Sequence, residues 1–273
     1  MLPLLLPLYY QLLAAYSPTP YYHPGPSITV ETVEILPSPQ VLGQSSSFLL
    51  PPIGGEGNVV NLALLGDSMI DTLSEDICLS SLQKYFPTTK FNLFNYGYGS
   101  STIESATKRL GEDTIYLDKV NPALLSLNPD IIVIESFAYN NFGNSEKGIE
   151  RHSQALDEIT TLIKEKSPSS KIVLASTIAP DSINFASGIK NMQFSALEKI
   201  EKTNTIKLYL QNLINFAYKN NLPLSDAFHP SLFGQNGLSE LIDPVDHLHP
   251  SAFGSELFCD TLGKSLKDNQ LTN

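Results

Sequence analysis

The segment Ile131–Glu135, read IIVIE, is almost unbroken in apolar character and follows the turn pair Pro129-Asp130. A run this short, bounded by turn residues and rich in β-branched side chains, predicts a strand rather than a helix. With apolar side chains pointing to both sides, such a strand must be covered on both faces. Val59–Leu65 (VVNLALL), Phe91–Tyr96 and Lys171–Ser176 (KIVLAS) are further strands, with a short fifth near Pro223–Phe228. Between them the spacing turns helical: over Ile70–Phe86, from Thr102 towards Leu110, over Ile149–Lys166 and Ser195–Asn220, and at the end over Ser251–Leu266. In the third of these, Ala155, Leu156, Ile159, Leu162 and Ile163 share one face. Strands alternating with helices give an α/β chain whose sheet is parallel. Short connections and right-handed crossovers reduce the topologies to few. The expectation is a three-layer α/β/α fold with a flavodoxin-like parallel sheet of about five strands, in the order 2-1-3-4-5. No internal repeat of solenoid period is visible.

Residues ahead of Val59 have another texture. Leu2 to Tyr16 is an apolar run resembling the core of an export signal, with Ala15-Tyr16-Ser17 as a loose cleavage site. Against that stand the missing basic residues before it, Pro3 and Pro7 within it, and Pro18 after it. The run is short for a membrane span of about 20 residues. Residues 1–20 are therefore either a signal or anchor remnant or an unusual apolar arm. Residues 21–58 are rich in Pro, Gly and Ser and read as an arm or linker, in which only Ser27–Leu36 alternates like a strand. Residues 59–273 form the expected catalytic-type domain.

The formal net charge of −11 opposes non-specific binding to nucleic acid or to an anionic membrane. Small neutral molecules suit it better, and it also serves solubility. Membrane contact is expected only if the first segment is an anchor. The two cysteines, Cys78 and Cys259, are too few for a disulfide framework or a structural zinc site. They are two buried thiols or one long-range bridge; the bridge needs an oxidising compartment, reached by secretion or surface display. In the expected topology the first and last helices share a sheet face, which would bring the two cysteines near each other.

Ligands of open α/β sheets bind outside the carboxyl ends of the strands. That rule selects Gly66-Asp67-Ser68 after the first strand, Asn95–Ser101 after the second, Ala138–Asn141 after the third, and the late loop with Asp246 and His249. A serine hydroxyl needs a base to become a nucleophile, and a neutral imidazole suits that task. A carboxylate three residues before the imidazole, as in Asp246-His247-Leu248-His249, can fix its tautomer. An oxyanion formed at the carbonyl needs aimed N–H donors. The glycine-rich turn after the second strand and the Asn140 amide are candidates. Alone, a serine after a strand is an ordinary turn or cap residue; four pieces in this order are harder to explain that way.

These four segments together resemble the blocks of the SGNH, or GDSL, hydrolases. Gly66–Met69 (GDSM) is similar to the first block and Asn95–Thr102 (NYGYGSST) to the second. Ala138–Asn141 (AYNN) is similar to the third and Asp246–Ser251 (DHLHPS) to the last. The likeness spans Val59 to about Leu266. It implies Ser68 as nucleophile and oxyanion donor, His249 as general base, Asp246 as its orienter and Asn140 as a side-chain donor. The second-block backbone donor falls on Ser100, where the family usually carries glycine. A positive φ there would strain the serine, and Gly99 is the alternative donor. Alanine likewise stands at 138 in place of glycine. The implied activity is hydrolysis of carboxylic esters through an acyl-enzyme, on short-chain or O-acetyl carbohydrate esters. No cofactor and no metal are implied. Alternatives on the same fold are an acyltransferase with the same triad and a non-catalytic module binding glycan or protein.

Other residues carry weaker signals. His247, Asp243 and Asp246 form a conceivable metal cluster, although imidazoles two residues apart diverge in extended chain. His229 reads as a loop residue near the site. Asp67 is expected to shape its turn, and Glu135 is costly in a buried strand unless paired. Tyr96, Tyr98, Phe137, Tyr139 and Phe142 line a pocket or pack the core. Gly97-Tyr98-Gly99 lacks the third glycine of a dinucleotide loop. The G-x-S-x-G elbow of α/β-hydrolases is absent at Ser68.

Overall fold

The computed structural model describes residues 58–272. The N-terminal apolar segment, the Pro-rich arm and the strand expected at Ser27–Leu36 lie outside the described residues. Five parallel strands form the central sheet: β1 (Val59–Gly66), β2 (Lys90–Gly97), β3 (Ile131–Glu135), β4 (Lys171–Ser176) and β5 (Leu224–Asp226). They lie side by side as β2-β1-β3-β4-β5. Numbered by their order in the sheet-forming chain, this is the 2-1-3-4-5 arrangement. Two hairpins outside the sheet, Thr114–Tyr116 with Lys119–Asn121 and Leu232–Phe233 with Asn236–Gly237, were not legible from apolar patterning.

The helices are α1 (Ser68–Asp71), α2 (Glu75–Tyr85), α3 (Ala106–Gly111), α4 (Glu146–Lys166), α5 (Ala196–Lys219) and α6 (Ala252–Asp268). The expected helix over Ile70–Phe86 is broken. The one-turn α1 ends at Thr72, and Ser74 starts α2 afresh by accepting the Ile77 N–H. A side-chain cap of this kind satisfies a donor the helix cannot, which sets the boundary. Ser195 caps α5 in a reciprocal box with Glu198, and Ser251 caps α6.

Successive residues of β1 and β3 feed two separate cores. Ala63, Leu65, Ile132 and Ile134 pack with Leu110 of α3, Leu156 and Ile159 of α4 and Leu213 of α5. Leu62, Leu64, Ile131 and Val133 pack with Leu82 of α2 and Phe258 and Leu262 of α6. The result is the expected three-layer sandwich, with α2 and α6 on one face. There Cys78 of α2 and Cys259 of α6 form a disulfide, with their Cα atoms 5.0 Å apart. Of the two alternatives for the cysteines, the bridge is the one the structure contains.

The register of β1 and β2 decides where the functional groups meet. Gly66 pairs with Gly97, so the two strands end level and their loops rise together. Gly97 has to be glycine, because a Cβ there would lie 2.2 Å from the Asp71 backbone nitrogen of α1.

Candidate active site

Ser68 is the first residue of α1. Asp67 caps that turn: its Oδ1 accepts the Met69 N–H at 2.8 Å and its carbonyl accepts Ile70 and Asp71. Among the described residues neither the Ser68 N–H nor its Oγ has a hydrogen-bond partner. Ser68 lines a cavity of about 780 Å³ together with Gly99, Ser100, Asn140 and His249.

The imidazole of His249 is oriented from below. Its Nδ1 meets Asp246 Oδ2 at 2.6 Å, and Asp246 Oδ1 takes the backbone N–H groups of Leu248 and His249 at 2.8 and 3.0 Å. Partial burial pushes the Asp246 carboxyl upward, but the hydrogen bonds from His249 and the two amides outweigh it and hold it below the usual range. The carboxylate therefore stays charged and keeps the proton on Nδ1, leaving Nε2 to accept. Ser68 and His249 make no direct hydrogen bond; such contacts commonly tighten only around substrate.

The sequence repeats the D-x-x-H-P-S pattern once, at Asp226–Ser231. Its geometry is the same: Asp226 Oδ1 accepts Phe228 and His229 N–H groups, and Oδ2 meets His229 Nδ1 at 2.5 Å. The His229 side chain is 52% exposed against 19% for His249, and it does not line the cavity. Position, not local geometry, distinguishes the two pairs. His247 does not line the cavity either, and its backbone has φ +58°. Among the described residues no three His, Cys, Asp or Glu side chains cluster as a metal site would need.

Ser100 has φ +58°, the left-handed region that favours glycine. Holding a non-glycine residue there costs on the order of 1–3 kcal/mol. The neighbouring Gly99 N–H donates to Tyr116 Oη at 2.8 Å. The Ser100 N–H has no partner among the described residues, so of the two it alone is free to face a ligand. Asn140 gives an amide hydrogen to Asp67 Oδ2 at 2.9 Å, which fixes its side chain and leaves its second N–H unspent.

Beneath the site lies a buried set of charges. Glu135 Oε1 accepts the Ser136 hydroxyl and Oε2 the Asp67 N–H, which supplies the pairing its burial requires. Burial and the neighbouring Asp67 charge push the Glu135 carboxyl well above its ordinary range, and burial also raises Asp67. Arg109, 1% exposed, donates from Nη1 to the carbonyls of Gly66 (2.8 Å) and Tyr96 (2.6 Å), tying the ends of β1 and β2 together. Burial lowers its pKa to about 10, which leaves it a cation at neutral pH. Its guanidinium sits 4.6 Å from the Tyr98 ring.

Of the aromatic residues flagged in the sequence, Tyr139 lines the cavity; Tyr96 and Phe137 are buried in the core. The apolar wall comes instead from Phe185, Ile189, Met192 and Phe194, in the connection between β4 and α5. That connection has neither helical nor strand periodicity, so its role was invisible. It is held against the His249 loop by Ala186 N–H to the His247 carbonyl and Gly188 N–H to that of Asp246.

No protein-family model matches the chain, and no curated protein matches it in sequence. Solved structures do match. A lipase/acylhydrolase from Enterococcus faecalis superposes with TM-score 0.54 at 20% identity, over 77% of this chain and 96% of that one. A putative lipolytic protein of the G-D-S-L family from Desulfitobacterium hafniense gives 0.52 at 16%, over 76% and 99%. A catalytic mutant of an acetylxylan esterase from Geobacillus stearothermophilus gives 0.50 at 13%, over 76% and 94%. The chain therefore has the fold shared by GDSL-type acylhydrolases and acetylxylan esterases.

Proposed function

We propose that this protein is a serine-dependent carboxylic ester hydrolase working through an acyl-enzyme. The observation that carries the reading is the single cavity lined by Ser68, by the Asp246-oriented His249 and by the unpartnered Ser100 N–H, with Asn140 beside them. Ser68 Oγ attacks the ester carbonyl while His249 Nε2 takes its proton, and Asp246 stabilises the resulting imidazolium. The Ser68 and Ser100 N–H groups and the Asn140 amide receive the oxyanion. His249 then protonates the departing alcohol as the carbon–oxygen bond breaks. A water, deprotonated by the same imidazole, attacks the acyl-enzyme and releases the acid.

Short acyl groups, including O-acetyl groups on carbohydrate, are the proposed substrates. Two observations support this: similar folds carry the name acetylxylan esterase, and the Phe185–Phe194 wall offers flat apolar surface to a bulky alcohol or sugar. Transfer of the acyl group to an alcohol would use the same residues. Export to an oxidising compartment is proposed from the Cys78–Cys259 bridge.

The test is a fluorophosphonate probe followed by p-nitrophenyl esters from acetate to palmitate. Labelling at Ser68 and a preference for acetate or butyrate are expected. Absence of labelling on folded protein would leave a binding module on this fold, and preference for palmitate would overturn the short-chain assignment.

A further inference from the structure

We propose that Tyr116, from the hairpin outside the sheet, is a positioning residue that holds the oxyanion turn in its active form. The inference rests on the esterase reading above and assigns a new part of that site. Tyr116 Oη stands between two elements that must keep a fixed distance. It donates to Asp71 Oδ2 at 2.6 Å, at the end of the nucleophile-bearing α1, and accepts the Gly99 N–H at 2.8 Å. One hydroxyl thus bolts the serine turn to the oxyanion turn.

The bolt answers a difficulty that the sequence creates. Ser100 occupies a left-handed backbone conformation without being glycine, so its preferred state is to rotate out of it. Rotation about the 99–100 linkage would swing the Ser100 N–H away from the cavity. Capturing the Gly99 N–H fixes the 98–99 peptide plane on which the 99–100 linkage hinges, narrows the freedom of the turn from that side, and removes the competing donor from the site. The fit is close: a Cβ on Gly99 would lie 3.0 Å from Tyr116 Oη, so a larger residue at 99 would make the hydroxyl give by a few tenths of an ångström.

Tyr116 itself is held firmly. Its ring stacks on Tyr98 with centroids 4.3 Å apart and planes within 7°, and the Tyr98 hydroxyl meets Thr114 Oγ1 at 2.7 Å on the same hairpin. Behind Tyr98 lies the buried Arg109 guanidinium. The hairpin is in this view a structural support for catalysis rather than an ornament of the α/β fold.

The experiment measures kcat and KM on p-nitrophenyl acetate, and the rate of fluorophosphonate labelling of Ser68, for the full chain, Tyr116→Phe, Ser100→Gly and the double variant. Losing one oxyanion donor outright costs about 10²–10³ in kcat, so a donor left unaligned should cost about tenfold to a hundredfold. Tyr116→Phe is expected to lose that much in kcat and in labelling rate, with KM within about twofold. Glycine at 100 accepts the left-handed conformation freely and keeps the backbone N–H, so Ser100→Gly should recover most of the loss in the Tyr116→Phe background. A Tyr116→Phe enzyme within twofold of the parent overturns the proposal, as does a loss that Ser100→Gly leaves unrepaired. If Tyr116→Phe fails to fold, Asp71→Ala removes the acceptor at the other end of the same bolt, and the same loss in kcat and labelling rate is expected. A parent that neither labels at Ser68 nor turns over ester overturns the esterase reading itself, and this one with it.

Discussion

Asp67 and Asn140 are joined through a single hydrogen bond, 2.9 Å from the Asn140 amide nitrogen to Asp67 Oδ2, across 73 positions of sequence. The same carboxylate caps the serine turn through its other oxygen. One buried side chain therefore sets both the backbone of the Ser68 turn and the Asn140 amide proposed to face the developing charge.

Replacing Asn140 by Ala should cost about 10²–10³ in kcat with little change in KM, the scale of one lost oxyanion donor. Asp67→Asn should show a smaller kcat loss, because the new amide offers donors where Asn140 needs an acceptor. Steady-state kinetics on one ester decide. An Asn140→Ala enzyme that loses only KM would remove the amide from the oxyanion hole.

The two D-x-x-H-P-S segments provide an internal control. Ser68→Ala and His249→Ala should each abolish turnover with little effect on thermal stability. His229→Ala and His247→Ala should keep most of the activity, since neither side chain lines the cavity. An inactive His229→Ala beside an active His249→Ala would mean that the other Asp–His pair is the working one.

Arg109→Met keeps length and apolar bulk but removes the guanidinium's two hydrogen bonds to the Gly66 and Tyr96 carbonyls, while the Gly66 carbonyl keeps the Tyr98 N–H. A hydrogen bond from a charged donor is worth about 1.5–3 kcal/mol, so a loss of roughly 3–6 kcal/mol is expected in chemical denaturation. Stability equal to the parent's would show that water or a neighbour replaces the guanidinium.

His152 should mark the acid limit of stability. Its Nε2 meets the Ser136 carbonyl at 2.7 Å, its Nδ1 meets the Asn212 amide nitrogen at 2.9 Å, and burial lowers its pKa from 6.5 to about 4. The folded state thus holds the neutral ring while the unfolded chain takes a proton near pH 6.5. Stability from this group is present above pH 6.5 and lost as pH falls towards 4, on the order of 3 kcal/mol in total. Glu135, raised by burial, acts in the opposite sense: its contribution is present at low pH and lost as pH rises through its folded value. Comparing the parent with His152→Gln at pH 7.5 and 4.5 isolates the histidine. Equal pH dependence in the two proteins would refute the assignment.

The sheet was legible because β1, β3 and β4 are nearly continuous apolar runs, whose period leaves no choice of exposed face. The candidate site was legible because Ser68 and Asn140 fall in short segments at strand ends, and Asp246 and His249 in the loop just before the last helix. Tyr116 was not, since a tyrosine in a three-residue strand carries no pattern and its two contacts come from Asp71 and Gly99, far apart in sequence. Arg109 was hidden for a related reason: an arginine near a helix end ordinarily reads as solvent-exposed, and only the converging carbonyls of β1 and β2 make its burial tolerable. Ser100 was legible as a departure from glycine, but its positive φ and the capture of the Gly99 N–H needed coordinates.

The disulfide should supply much of the domain's margin against unfolding. Cys78 and Cys259 are separated by 181 positions and join α2 to α6, so the bridge closes nearly the whole described domain. On the chain-entropy model a loop of that length removes on the order of 5 kcal/mol of unfolded-state freedom, and measured gains are often smaller. Both sulfurs lie in the core beside Leu82, Phe258 and Leu262, so Cys78→Ala/Cys259→Ala leaves the apolar face intact apart from two small voids. The double variant, and parent protein unfolded in the presence of reductant, should both melt roughly 10 °C or more below the oxidised parent. The site lies at the carboxyl ends of the strands, whereas the bridge joins two helices on one face of the sheet. kcat at a temperature where both proteins are folded should therefore agree within about twofold. A melting temperature unchanged by reduction would mean the unfolded chain gains little from losing the bridge, and a selective loss of kcat would mean that α2 transmits strain to Ser68.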